Sequence, residues 1–386
     1  MKFKKFFGVT LLAFLAACGA GAANDAQEQT QEQTVQPEQA VVETHEPEVD
    51  YGPYAGDVRI ALIAHSPDSI LDDGSFNEGA WQGISRFLST HNLPSSNATF
   101  FQPHEASDVA RIDLIAAAVN GGANVLVLPG FHFQASLYEA QDLFPETKFI
   151  LLDASPMRDG NVRIENNLVA IHYAEHEAGF LAGYAAVMEG YRNLGFMGGV
   201  AVPAVVRFGH GFVQGAEYAA YSLGLSYGDV SISYHYLGQF APDPAITTTA
   251  ASWFASGTEV IFVAAGGAGF SVFSAAETAG ASTIGVDVDQ SGDSSSVITS
   301  AIKGLDVSVY DMITAFLNNE FPGGSEFIYD ASINGVGLTM ATGRFNNFTQ
   351  SQYDDIFGRL ATGSINVSDS LEMSDIHTSL VSLTEL

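Results

Sequence analysis

From Asp57 onward the chain alternates two apolar patterns. Continuous apolar runs predict buried strands at Val58–Ala64, Ala98–Gln102, Asn124–Leu128, Lys148–Leu152, Leu168–His172, Asn193–Met197, Val230–Tyr236, Glu259–Val263 and Thr283–Val288. Between and after them, apolar positions recur at helical spacing. They predict helices at Asn77–His91, Val109–Asn120, Gln134–Leu143, Ala174–Glu189, Ala204–Leu223, Pro244–Ser256, Phe270–Ala279, Leu305–Asn319 and Gln350–Ala361. Strands apolar on both faces, with helices between them, argue an α/β fold whose parallel sheets are covered on both sides. Nine strands is long for one such sheet. A break falls at the Ala- and Gly-rich helix closed by Gly190, a usual helix stop. The expected arrangement is therefore two lobes around a cleft. Residues 57–172 with about 287–330 would form the first, and 173–286 with about 331–386 the second.

The first 17 residues follow another pattern. Lys2, Lys4 and Lys5 precede the short apolar run Phe6–Ala17, and small residues stand before Cys18, the one cysteine of the chain. This reads as a secretory signal peptide. The Leu15-Ala16-Ala17-Cys18 tetrad resembles a bacterial lipobox, which implies cleavage before Cys18 and lipid attachment to its sulfur. Without a second cysteine the mature chain has no internal disulfide. Residues 19–50 are rich in Gln, Glu, Ala and Thr and hold no aromatic residue. They cannot bury enough surface to fold. Residues 18–56 are thus read as a lipidated cysteine and a disordered tether, averaging roughly 30 Å end to end over its 32-residue core.

Charge narrows the partners. The formal net charge is −30, and removing the three lysines of the signal peptide leaves −33. Such a chain repels nucleic acid and anionic lipid, so its hold on a membrane must come from the lipid. After Cys18 only Lys148 and Lys303 remain. In a composition that disfavours lysine, each needs a reason, and a pocket role beside carboxylates suits Lys303.

Several strand-to-helix loops carry chemistry, and such loops line the ligand crevice of open α/β sheets. Asp72-Asp73-Gly74-Ser75-Phe76-Asn77 offers carboxylates, an aromatic face and an amide. The alternative is that Asp73, Ser75 and Asn77 cap the helix and Phe76 packs in the core. Phe208, beside Arg207 at a helix start, serves either a bound ring or the lobe core. The Ala264–Phe270 turn (AAGGAGF) frees backbone N–H groups near Gly267, yet it has no GK[ST] ending and no nearby base for phosphate, so it suits a hydroxyl or sugar. Its glycines equally serve tight packing. Asp287 and Asp289 close another strand. Ile298 stands where a calcium loop needs its bidentate acid, so vicinal sugar hydroxyls are the better match for Asp287. No G-x-S-x-G, no H-E-x-x-H and no cysteine nucleophile occurs in the body. His172 and His176 lie four apart without a third ligand at matching spacing, so no metal and no cofactor is expected.

Together DDGSFNEGAWQG, HEAGFLAGYAA, RFGHGFVQGAEYA, AAGGAGFSVFSAA and GVDVDQS, with Lys303 after them, resemble the basic membrane protein family of bacterial surface lipoproteins. The resemblance implies a type I periplasmic-binding-protein fold, two doubly wound lobes joined by a hinge. It implies a purine nucleoside such as inosine, guanosine or adenosine as ligand, with ABC permease and ATPase subunits as partners. It also implies a lipid-anchored location on the extracytoplasmic face of the cell membrane. Asp73 and Asn77 would then bond the purine edge. Phe76 and Phe208 would face the base, and Asp287, helped by Gly267 and Lys303, would hold the ribose hydroxyls. Phe131 or Phe133 is a further candidate for the base pocket. Competing readings are a surface sensor or a binder of another ring or sugar, and a nucleoside hydrolase, for which no metal set is visible in the sequence.

Overall fold

The computed structural model describes residues 56–386. The signal peptide, Cys18 and nearly all of the tether lie outside that range. The chain runs β1 (Ile60–Ile63), α1 (Phe76–Thr90), β2 (Ala98–Phe101), α2 (Asp108–Asn120), β3 (Val125–Pro129), α3 (Gln134–Leu143) and β4 (Lys148–Leu152). A short hairpin, β5 (Met157–Arg158) and β6 (Asn161–Val162), and β7 (Leu168–Tyr173) follow. Then come α4 (Glu175–Glu189), β8 (Asn193–Gly198), α5 (Pro203–Ser222), β9 (Val230–Tyr236), α6 (Pro244–Ala255), β10 (Val260–Ala264), α7 (Gly269–Ala279), β11 (Ser282–Asp287) and β12 (Val297–Lys303). Last are α8 (Leu305–Leu317), β13 (Ser325–Tyr329), β14 (Val336–Leu338), α9 (Gln350–Ala361) and β15 (Val381–Glu385).

These strands build two sheets. The first has the order β13-β7-β4-β3-β1-β2, every pair parallel. The second has the order β14-β12-β11-β10-β8-β9-β15 and is parallel except for the β12–β14 pair. The inner strands β1, β3 and β10 are buried at every residue, as helices on both faces require. Each Leu, Ile or Val so enclosed contributes about 1.5–3 kcal/mol.

The chain passes between the sheets three times, after Tyr173, after Lys303 and after Tyr329. The three crossings lie side by side: Ala174 N–H donates to Tyr329 O at 3.0 Å and Gly304 N–H to Gly335 O at 2.8 Å. Gly335 is required there, because a Cβ would lie 2.5 Å from the Tyr329 backbone.

One boundary differs from expectation. Strand β12, placed with the first lobe in the sequence reading, pairs with β11 in the second sheet, so the return comes after Lys303 rather than near residue 287. Its polar residues hid it. Thr299 and Ser300 are fully buried, and Thr339 answers them: its hydroxyl accepts from Ser300 N–H at 2.9 Å. Edge strands β13 and β15, rich in Ser and Glu, also escape the apolar pattern.

Helices α4 and α5 touch backbone to backbone. A Cβ at Gly179, Gly183, Gly211 or Gly215 would stand 1.9–2.1 Å from a carbonyl oxygen of the facing helix. Gly358 in α9 faces open space. Gly183→Ala is therefore expected to lower the unfolding free energy by about 1–3 kcal/mol or more. Gly358→Ala is expected to raise it by about 0.5–1 kcal/mol. Urea titrations read both, and equal midpoints for the two variants would contradict the close seam.

Candidate functional site

Lys303 ends β12 at the second crossing and is 5% exposed. Burying an ammonium is costly unless charges and hydrogen bonds surround it. Here they do. Its Nζ is paired with the Asp153 carboxylate and lies 3.4 Å from Glu175 Oε1 and 3.9 Å from Asp287 Oδ1. Three aromatic rings complete the shell, Phe76 at 5.0 Å and Tyr173 and Phe208 each at 5.4 Å from ring centre to Nζ.

The acids come from equivalent places in the two lobes. Asp153 follows β4 in the first sheet and Asp287 ends β11 in the second; both adopt the left-handed backbone, with φ of 60° and 67°. Glu175 opens α4 just past the first crossing, and its Oε2 accepts from Arg207 Nη1 of α5 at 3.4 Å. Asp287 Oδ2 accepts from Ser75 Oγ of the first lobe at 2.6 Å. Tyr173 OH and Ser308 Oγ share a hydrogen bond of 2.6 Å. Asp153 Oδ1 is buried and has no hydrogen-bond donor among the described residues.

Burial dominates the electrostatics. It pushes Glu175 up to about 7 against the opposing pull of Lys303. Asp287 is also raised by burial, with Lys303 and the Ser75 bond working the other way. Burial pulls the Lys303 ammonium down, but Asp153, Glu175 and Asp287 outweigh it and hold the group well above its usual range. The cluster keeps its one lysine charged, while burial raises Glu175 and Asp287.

The expected site residues fall into three groups. Lys303, Asp287, Phe76 and Phe208 are brought together. Asp73 and Asn77 make local hydrogen bonds within the loop and the start of α1. The Asp73 carboxylate accepts from the backbone N–H groups of Ser75, Asn77 and Glu78 at 3.0–3.1 Å, and Asn77 Nδ2 donates to Ile70 O at 2.9 Å. Asp73 thus holds the first turn of α1, and Asn77 ties that turn to the loop. Burial, partly offset by those N–H groups, lifts Asp73 to about 6. Gly267 lies in the turn after β10, and the nearest atoms a Cβ on it would meet belong to Phe240 and Pro242.

Phe133 is a correction. It is fully buried in the first-lobe core with Leu128, Leu137 and Ala140, because it immediately precedes α3 and turns its ring into the sheet. Phe131 is half-buried and packs beside His132.

Sequence reasoning missed Asp153, Glu175 and Tyr173, and left Arg207 without a role. Asp153 was findable, since it follows a strand as Asp287 does. His172 binds Ser155 and Glu326 rather than His176. Among the described residues no group of three or more His, Cys, Asp or Glu is placed to hold a metal. Two grooves of about 450 and 540 Å³ lie elsewhere on the second lobe, near Tyr236 and Tyr221.

Glu175 binds its proton more tightly folded than unfolded. Its contribution is fully present below about pH 4.5 and is lost as pH rises through about 7. Relative to Glu175→Gln, the unsubstituted chain is expected to lose stability across that window in urea titrations. Parallel curves would show that Glu175 does not titrate there.

Comparison with known proteins agrees with this architecture. A solute-binding protein of an ABC transporter system from Aeropyrum pernix superposes with a TM-score of 0.67 at 21% identity, over 82% of this chain and 94% of that one. One from Conexibacter woesei gives 0.65 at 19%, over 81% and 99%. The fold is thus the two-lobed type I periplasmic-binding-protein fold. The chain is 28% identical to the ABC transporter nucleoside-binding protein BmpA of Lactococcus lactis, over 83% of this chain and 93% of that protein. It is 30% identical to basic membrane protein A1 of Borrelia garinii, over 72% and 79%. Residues 58–367 match the Bmp family, described as ABC transporter substrate-binding protein PnrA-like, and the chain belongs to that family of substrate-binding proteins.

Proposed function

We propose that the protein captures a purine nucleoside between its lobes and delivers it to the permease and ATPase of an ABC importer. The observation that carries this reading is the pair of strand-end acids, one from each lobe, around Lys303. Asp153 Oδ1 is a buried acceptor with no donor among the described residues, and a sugar O–H would donate to it. Asp287 is the matching acceptor from the other lobe, and Lys303 limits the repulsion between them. The Phe76 and Phe208 rings beside the ammonium suit a flat base. Three acids at one point disfavour a phosphate, so a nucleoside suits the cluster better than a nucleotide. The relative from Lactococcus lactis carries a nucleoside-binding name, which supports the same ligand class.

Closure of the lobes would bury the ligand and present both to the permease. Cys18, once lipidated, would hold the protein on the outer face of the cell membrane, with residues 19–50 as the tether. Among the described residues no helix is long and apolar enough to cross a membrane.

A thermal-shift panel tests the ligand. Inosine, guanosine and adenosine are expected to stabilise the chain, by about 2.7 kcal/mol at a hundredfold excess over Kd. Cytidine, uridine, ribose and AMP serve as comparisons. The shift is expected to vanish in Asp287→Ala and Phe208→Ala and to shrink in Asp153→Asn. A response to ribose alone would replace the nucleoside with a sugar. Metabolic labelling with palmitate is expected to mark the unsubstituted chain and not Cys18→Ser; equal labelling would remove the anchor.

A further inference from the structure

Beside the ion cluster, a second set of contacts joins the lobes without touching Lys303. Gln290 is 1% exposed and anchored in the second lobe twice. Its Oε1 accepts from Val286 N–H at 2.8 Å, and its backbone N–H donates to Ser300 Oγ at 3.0 Å. Its Nε2 then crosses to the first lobe and donates to Gly74 O at 2.8 Å. Gly74 has φ of +63°, and a Cβ there would lie 2.7 Å from Phe270 Cζ. Phe270, the second residue of α7, keeps 36% of its surface exposed, yet its ring lies on this glycine of the opposite lobe. Val288 presses in the same way on α1, 2.9 Å from where a Gly79 Cβ would stand.

The loop so held is the one that carries Phe76. Ser75 reaches Asp287 and Phe76 reaches Lys303, so the position of the loop sets the position of that ring. The buried Gln290 amide has lost its water and is satisfied only while Gly74 O stays in place. The Phe270 ring gives up apolar contact and gains water when the loop moves away. Both therefore act on the juxtaposed lobes and not on the separated ones.

We propose that Gln290 and Phe270 form an inter-lobe latch that holds the Gly74 loop, so that they set how long a captured ligand stays without contacting it. This rests on the reading that the ligand lies between the lobes. They are positioning residues: a latch that acts after capture slows dissociation and leaves association nearly unchanged.

Stopped-flow kinetics with inosine test this on Phe270→Ala and Gln290→Met, with Phe327→Ala as a control of equal exposure on the outer strand β13. Both latch variants are expected to release inosine about tenfold faster, with association within about twofold of the unsubstituted protein. The control is expected to change neither rate. Dissociation within about twofold in both latch variants, or slower association with dissociation unchanged, overturns the latch. Phe270→Ala removes a partly exposed ring, so it keeps the test open if Gln290→Met fails to fold. If inosine does not bind the unsubstituted protein, the nucleoside reading fails, and the same release kinetics with whichever compound of the thermal-shift panel does bind decide the latch separately: about tenfold faster release in Phe270→Ala supports it, and release within about twofold overturns it.

Discussion

Everything near the cleft follows from one buried ammonium. Lys303 is enclosed at a crossing between the lobes, where isolated positive charge would not be tolerated. Asp153, Glu175 and Asp287 must therefore converge on it, from the first sheet, from the first turn of α4 and from the second sheet. Two of the four groups, Lys303 and Glu175, adjoin crossings of the chain, so the charge cluster and the hinge are the same place. The geometry of the acids and the relative placement of the lobes are then one constraint.

The α4–α5 seam keeps that cluster in register. Glu175 opens α4, while Arg207 and Phe208 lie in the first turns of α5. With glycines letting the two backbones touch, neither helix can slide without collision. The second lobe thus presents an acid, a guanidinium and a ring as one rigid unit. The first lobe meets it with a loop whose shape is fixed internally by Asp73 and Asn77.

Much of the fold was legible because buried parallel strands are continuous apolar runs and their helices are amphipathic. The strands that escaped had polar residues for a physical reason. In β12, Thr299 and Ser300 are paired by Thr339 from a distant segment, which no local pattern reveals. At the site, Lys303 stood out by scarcity and Asp287 by its strand end. Asp73 and Asn77 were visible as polar residues, but sequence cannot tell a ligand contact from a helix start when the same atoms suit both. Phe133 failed for a similar reason, since an aromatic near a strand end is equally at home in the core. Glu175 was hidden inside a helix whose partner, Lys303, comes more than a hundred residues later.

The interleaving of the two sheets bears on the order in which the molecule can be made. The first sheet lacks an edge until β13 emerges, long after β7, and the second is finished only by β15 at the end of the chain. Neither lobe can close early during synthesis, and pairings this distant form slowly. A chain built so completes both sheets only with β13 and β15, so the last pairings of each lobe wait on the last strands to be made.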